Sequence, residues 1–131
     1  MDLRKKKDIP GVKIAFLSDP NIVIFSVIDH IPLIHLSRAE DALRELVQKG
    51  HRRIVIDLSA ANRISSNGVG IAVYYHIVLA QRNGKLVIVK APESVMKRIW
   101  NFVQPAIPLA DTVEDAIAIL QGHELLGVRT T

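Results

Sequence analysis

Apolar residues in this chain fall in short runs whose period changes along its length. Val12 to Leu17 and Ile22 to Ile28 are β-branched-rich runs separated by Ser18-Asp19-Pro20-Asn21. That spacer has the composition of a turn, so the two runs predict a hairpin. An irregular stretch, Asp29 to Leu36, follows and contains Pro32. Ser37-Arg38-Ala39-Glu40 has the form of a capping box, in which the serine oxygen accepts an early backbone N–H and the glutamate reaches back. The helix it predicts places Ala39, Ala42, Leu43, Leu46 and Val47 at helical spacing and stops at Gly50.

The second half alternates strand and helix. Arg53 to Leu58 is a continuous apolar run, as expected of a strand covered on both faces. Ser65-Ser66-Asn67-Gly68 breaks the pattern and opens a helix to about Arg82, ended by Asn83-Gly84. Leu86 to Val89 is a further buried strand. Pro92 suits the first turn of a helix lined by Val95, Met96, Ile99, Trp100 and Val103. A short edge strand is expected near Ile107 to Leu109. Thr112-Val113-Glu114-Asp115 then caps a last helix with Ala116, Ile117, Ile119 and Leu120 inside. The order ββαβαβα(β)α predicts an α/β fold. One mixed sheet, with an N-terminal hairpin and a parallel second half, is covered by about four helices.

The helix after Asn67 is apolar on two sides. At about 100° per residue, Ile71, Tyr75, Val78 and Leu79 form one stripe, assigned to the sheet. Val69, Val73, Ile77 and Ala80 form a second, nearly opposite. A helix lying on a sheet needs only one. The second must bury against a neighbouring helix or serve as an interface.

Composition narrows the function. The chain has 131 residues, 49% hydrophobic and 23% charged, enough for one domain with its own core. There is no cysteine, which excludes disulfides, thiolate metal sites and cysteine nucleophiles, and fits a cytoplasmic location. Of the net charge of +4, half lies in the first eight residues, where Arg4, Lys5, Lys6 and Lys7 outweigh Asp2 and Asp8. The rest is nearly balanced, so no nucleic-acid partner and no stable membrane association are expected. The apolar stretch Gly68 to Ala80 is too short to span a bilayer. No apolar run follows the N-terminal charges before Ile9-Pro10, so no signal peptide is expected. His30, His35, His51, His76 and His123 share no metal-ligand spacing, and neither a phosphate-cradling G-x-x-x-x-G-K-[ST] nor G-x-G-x-x-G occurs. No catalytic site, cofactor or metal is expected.

A resemblance emerges from Ile54 onward. Ile54-Val55-Ile56-Asp57-Leu58, Ile64-Ser65-Ser66-Asn67-Gly68-Val69-Gly70 and Asn83-Gly84-Lys85-Leu86-Val87-Ile88-Val89 come in that order. Ile107-Pro108-Leu109-Ala110-Asp111-Thr112-Val113-Glu114-Asp115-Ala116 closes the series. The series resembles the STAS family of anti-sigma-factor antagonists: a strand ending near D-L, a D-S-S-G-L-G turn opening a helix, a G-x-L strand and a final T/S-x-x-D/E-A helix. Val27-Ile28-Asp29-His30 is similar to the family's E-L-D segment, although the seven residues between Asp29 and Ser37 make a longer connection than usual.

The resemblance implies a regulator whose second serine in D-S-S-G is phosphorylated by a partner kinase, itself an anti-sigma factor, and restored by a phosphatase. Here the ungapped count places Ser65 at the family's aspartate, Ser66 at the first serine and Asn67 at the phosphorylated one. Asparagine cannot be phosphorylated, so Ser66 and Ser65 are the displaced candidates. Asn67 is also a good N-cap, and both that role and a contact role stand open. Gly68 and Gly70 are expected to allow tight packing of the turn. The partner-facing residues implied are Asp29, His30, Asn67, Gly68, Val69, Val73 and Ile77, though Asp29 could equally be a turn residue before Pro32.

The expected function is a non-catalytic module, residues 11–122 between a basic tail (1–10) and a C-terminal tail (123–131). It docks on an anti-sigma-factor serine kinase or a stressosome-like assembly to control transcription, and a weak homodimer is compatible with it. The alternative is a phosphorylation-independent adaptor in a scaffold or lipid-transport complex. A small α/β enzyme or nucleotide-binding protein is a distant third.

Overall fold

The computed structural model describes residues 9–17, 21–28, 33–61, 64–93 and 106–122, with Leu33 and Ile34 described as backbone alone. β1 (Val12–Leu17) and β2 (Ile22–Val27) pair antiparallel, with Leu17 opposite Ile22. That register leaves residues 18–21 between the two strands. β3 (Arg53–Asp57) adds parallel to β2, β4 (Lys85–Val89) to β3, and the two-residue β5 (Leu109–Ala110) to β4. The five strands therefore lie in sequence order in one mixed sheet.

Three helices are described: α1 (Leu33–Gln48), α2 (Ser66–Gln81) and α3 (Val113–Leu120). The helix expected to run from Pro92 through Val103 falls outside the described residues beyond Glu93. The β2–β3 and β3–β4 crossovers step in one direction, and right-handed connections then put α1 and α2 on the same face. Their core is Val23, Phe25, Ile54, Ile56, Leu86 and Ile88 against Ala42, Leu43, Leu46, Ala72, Tyr75 and Leu79. The other face packs Ile22, Val55, Val87 and Val89 against Ala116 and Leu120 of α3. Burial on both faces explains why β3 and β4 read as unbroken apolar runs.

Three local expectations are corrected. α1 starts at Leu33, so Ser37 is an exposed residue inside the helix and not its cap. A serine three residues before a glutamate also fits within a helix, so the capping-box pattern alone does not mark the start. The connection from β2 is correspondingly shorter than the sequence count suggested. β5 is Leu109–Ala110, displaced from Ile107, which is instead buried in the core. Thr112 does cap α3: its Oγ1 accepts from the Asp115 N–H at 3.0 Å.

Between α2 and β4, Asn83 takes a left-handed φ of 60° and Gly84 follows it. A Cβ on Gly84 would stand 2.5 Å from the Arg52 carbonyl oxygen. Only glycine lets this turn cross the start of β3 so closely.

Candidate functional site

The parallel strands end where α1 and α2 begin, so the Ser65–Gly70 turn sits at the carboxyl edge of the sheet. Ser65 is the N-cap of α2, with extended backbone (φ −74°, ψ 162°), and its Oγ accepts from the Gly68 N–H at 3.0 Å. This settles the cap. Asn67 lies one position into the first turn, exposed, and does not cap. Ser66 is exposed at the first helical position, whereas Ser65 is half-buried with its oxygen committed to the cap.

The two glycines of the turn differ. A Cβ on Gly68 would stand 2.8 Å from Ile64 Cγ1, so packing against Ile64 demands its absence. A Cβ on Gly70 would meet nothing within 4 Å. Tight packing therefore accounts for Gly68 and not for Gly70, which leaves bare helix backbone facing outward.

The rest of α2 corrects the assignment of its stripes. The buried side is Val69, Ala72, Tyr75, His76 and Leu79. Tyr75 and Leu79 meet the core as expected. Ile71 and Val78 are half-buried flanks, and Val69, expected on the docking face, is 8% exposed and packs inside. Val73 is half-buried against the core. Of the expected outer stripe only Ile77 (38% exposed) and Ala80 face outward. The outward stripe instead runs Ser66, Gly70, Tyr74 (57% exposed), Ile77 and Gln81, at helical spacing, with Asn67 beside it. The expected sheet and docking stripes missed Tyr74 and His76; positions 69, 72, 76 and 79, at i, i+3, i+7 and i+10, were the signal for the true buried side.

Between this helix and α1 lies an open groove of about 480 Å³ lined by Leu36, Glu40, Ser66, Asn67, Gly70, Ile71 and Tyr74. Tyr74, which lines it, stands edge to face with the buried Tyr75, ring centres 5.0 Å apart. Burial, and then the Glu40 charge, push the Tyr75 hydroxyl above its ordinary range, while Arg44 on α1 pulls it back through a hydrogen bond. Arg44 is held in turn by Asp41 at 2.9 Å. A lining that mixes apolar Leu36, Ile71 and Tyr74 with polar Glu40, Ser66 and Asn67 suits a protein segment. Asp29 and His30 lie outside the described residues, directly after Ile28, whose side chain is exposed at this same edge.

Among the described residues no group of three or more His, Asp or Glu side chains is placed to hold a metal. Among the same residues no helix is long and apolar enough to cross a membrane.

The STAS domain model matches residues 13–116. Several solved structures share the fold. The anti-sigma factor antagonist SpoIIAA in its unphosphorylated form aligns with a TM-score of 0.71 at 15% identity, over 85% of this chain and 98% of that one. A Thermotoga maritima protein described as a candidate anti-sigma factor antagonist gives 0.71 at 18%, over 84% and 94%. An anti-sigma factor antagonist from Mycobacterium paratuberculosis gives 0.68 at 22%, over 84% and 94%. Comparison with curated proteins yields no significant match.

Proposed function

The chain belongs to the STAS domain family, and from that premise we propose that it is a non-catalytic regulatory module, an anti-sigma-factor antagonist that docks on an anti-sigma-factor serine kinase or a stressosome-like assembly. The observation that carries this reading is the outward stripe Ser66, Gly70, Tyr74 and Ile77, with Asn67 beside it. An apolar, glycine-bared helix face next to a groove is what a partner's side chains can enter. Two of the chain's exposed large apolar side chains lie on it. Asp29 and His30, which follow Ile28 in sequence, are included in the proposed partner-facing set.

The regulatory step follows from charge. A phosphate on Ser66 would bring about −1.5 to −2 charge to a groove already lined by Glu40, and like charges repel there. Docking would be lost on phosphorylation and regained when a phosphatase acts. Incubation with the cognate kinase and ATP, followed by peptide mapping, should place the phosphate on Ser66. Phosphate only outside the Ser65–Gly70 turn would overturn the switch.

A second reading is a phosphorylation-independent adaptor. Asn67 at the family's acceptor position and the use of Ser65 as a cap both favour it. It predicts no incorporation in the same assay.

A further inference from the structure

The chain contains two Asn-Gly pairs, Asn67-Gly68 and Asn83-Gly84. Such a pair can close on itself, because glycine has no Cβ to obstruct its own nitrogen as it approaches the asparagine side chain. The glycine N–H gives up its proton, and the nitrogen attacks asparagine Cγ. The side-chain nitrogen takes up that proton and leaves as ammonia, and a five-membered imide remains. Water then opens the imide at either carbonyl, giving aspartate or isoaspartate. The net exchange is one water in and one ammonia out.

The structure treats the two pairs differently. Both asparagines are exposed, so water reaches each. Gly84 N–H donates to the Leu79 carbonyl at 2.7 Å, and an added Cβ on Gly84 would stand 2.5 Å from the Arg52 carbonyl oxygen. That nitrogen is pinned by main chain. Gly68 N–H donates instead to the Ser65 hydroxyl, at 3.0 Å. It belongs to the first turn of α2, whose amides have no carbonyl of their own helix to reach. Its close neighbour is the Ile64 side chain rather than backbone. The amino end of a helix carries about half a positive charge, which favours the anionic nitrogen that must attack. Helical backbone keeps Cγ off that nitrogen, so closure waits on opening of the first turn, and helix ends open at the least cost.

We infer that Asn67 is a self-modifying site: it deamidates in the folded protein, faster than Asn83, and the Ser65 cap sets the rate. Asn67 lines the groove together with Glu40 and Ser66. The carboxylate formed there adds negative charge where a phosphate on Ser66 would add it, with no kinase to install it and no phosphatase to remove it. An acidic group in the first turn suits the helix dipole, so the aspartate form stays folded. The consequence rests on the docking reading proposed above: a docked partner holds the turn closed, while free molecules lose their ability to dock as they age.

The test is ageing of purified full-length protein in mildly alkaline buffer, with samples mapped over time by peptide mass spectrometry. Conversion should appear at Asn67 before Asn83. Ser65→Ala should speed it about fivefold at Asn67, the equivalent of one helix cap, and leave Asn83 unchanged. Should that variant fail to fold, the order of the two sites in the unsubstituted protein still decides. Conversion at Asn83 first, or at neither, would overturn the site. An unchanged rate in Ser65→Ala would overturn the control by the cap. No partner is needed for these measurements. Asn67→Asp, used as bait beside the unsubstituted protein and Ile77→Asp, then tests the consequence. A partner lost by Ile77→Asp but kept by Asn67→Asp would leave the docking face standing and overturn the regulation.

Discussion

Ser65, Asn67 and Gly70 show how far single residues could be read. The break at Ser65-Ser66-Asn67-Gly68 located the helix start. Which of three capping-competent residues held the cap was not legible, because serine and asparagine cap about equally well. The structure gives it to Ser65 through the Gly68 N–H. Gly70 has no packing reason, and an exposed helical glycine costs about 1 kcal/mol relative to alanine. Gly70→Ala should therefore raise monomer stability by about 0.5–1 kcal/mol in chemical denaturation while weakening docking. Gain of stability with unchanged affinity would remove Gly70 from the interface. A second residue-scale prediction concerns His51, whose Nδ1 is buried without a hydrogen-bond partner and whose ring lies 5.7 Å from that of Phe16. Burial first, and then Lys49, hold its imidazole below the ordinary value. The unfolded chain thus takes up this proton before the folded one as pH falls, so protonation favours unfolding. Its contribution is full above about pH 6.5, is lost as pH falls, and levels off below the folded protein's own value. Thermal melts across about pH 8 to 5 should show a smaller acid loss in His51→Gln than in the unsubstituted protein. Equal losses would contradict the assignment.

At the scale of elements, boundaries were legible wherever pattern and punctuation agreed. The hairpin, β3, β4 and α3 fall within a residue or so of their expected limits. α1 was cut short because Ser37-x-x-Glu40 imitates a start, whereas the helix already runs from Leu33. α2 was misphased for a deeper reason. A helix apolar nearly all round gives periodicity little to lock onto, and its inner side uses a small residue, Ala72, and a polar one, His76 (4% exposed), that a hydrophobic stripe does not select. The corrected phase makes its own prediction. Leu79→Ala, at a fully buried site, should cost about 2–5 kcal/mol. Val73→Asp should destabilise too, since Val73 packs against the core. Ile77→Asp should melt close to the unsubstituted protein. A melt as low as that of Leu79→Ala would mean that the outer stripe is also core.

The whole molecule was more legible than its site. Parallel order and a single sheet follow from alternating elements and right-handed crossovers, and the order of motifs pointed to the family that residues 13–116 match. The groove was not legible, because it joins Leu36 and Glu40 of α1 to residues some 26 to 38 positions later on α2, and no local pattern encodes that meeting. The docking of a regulatory protein on the outer face of α2 is tested most directly by quantitative affinity purification from the native cell. Full-length unsubstituted and Ile77→Asp proteins serve as baits at matched abundance and confirmed fold. A kinase or STAS-containing assembly retained by the first bait should be lost, or reduced at least tenfold, with the second, because a charge buried without a partner on docking costs several kcal/mol. Equal recovery of that same partner on both baits would contradict the assignment of this face.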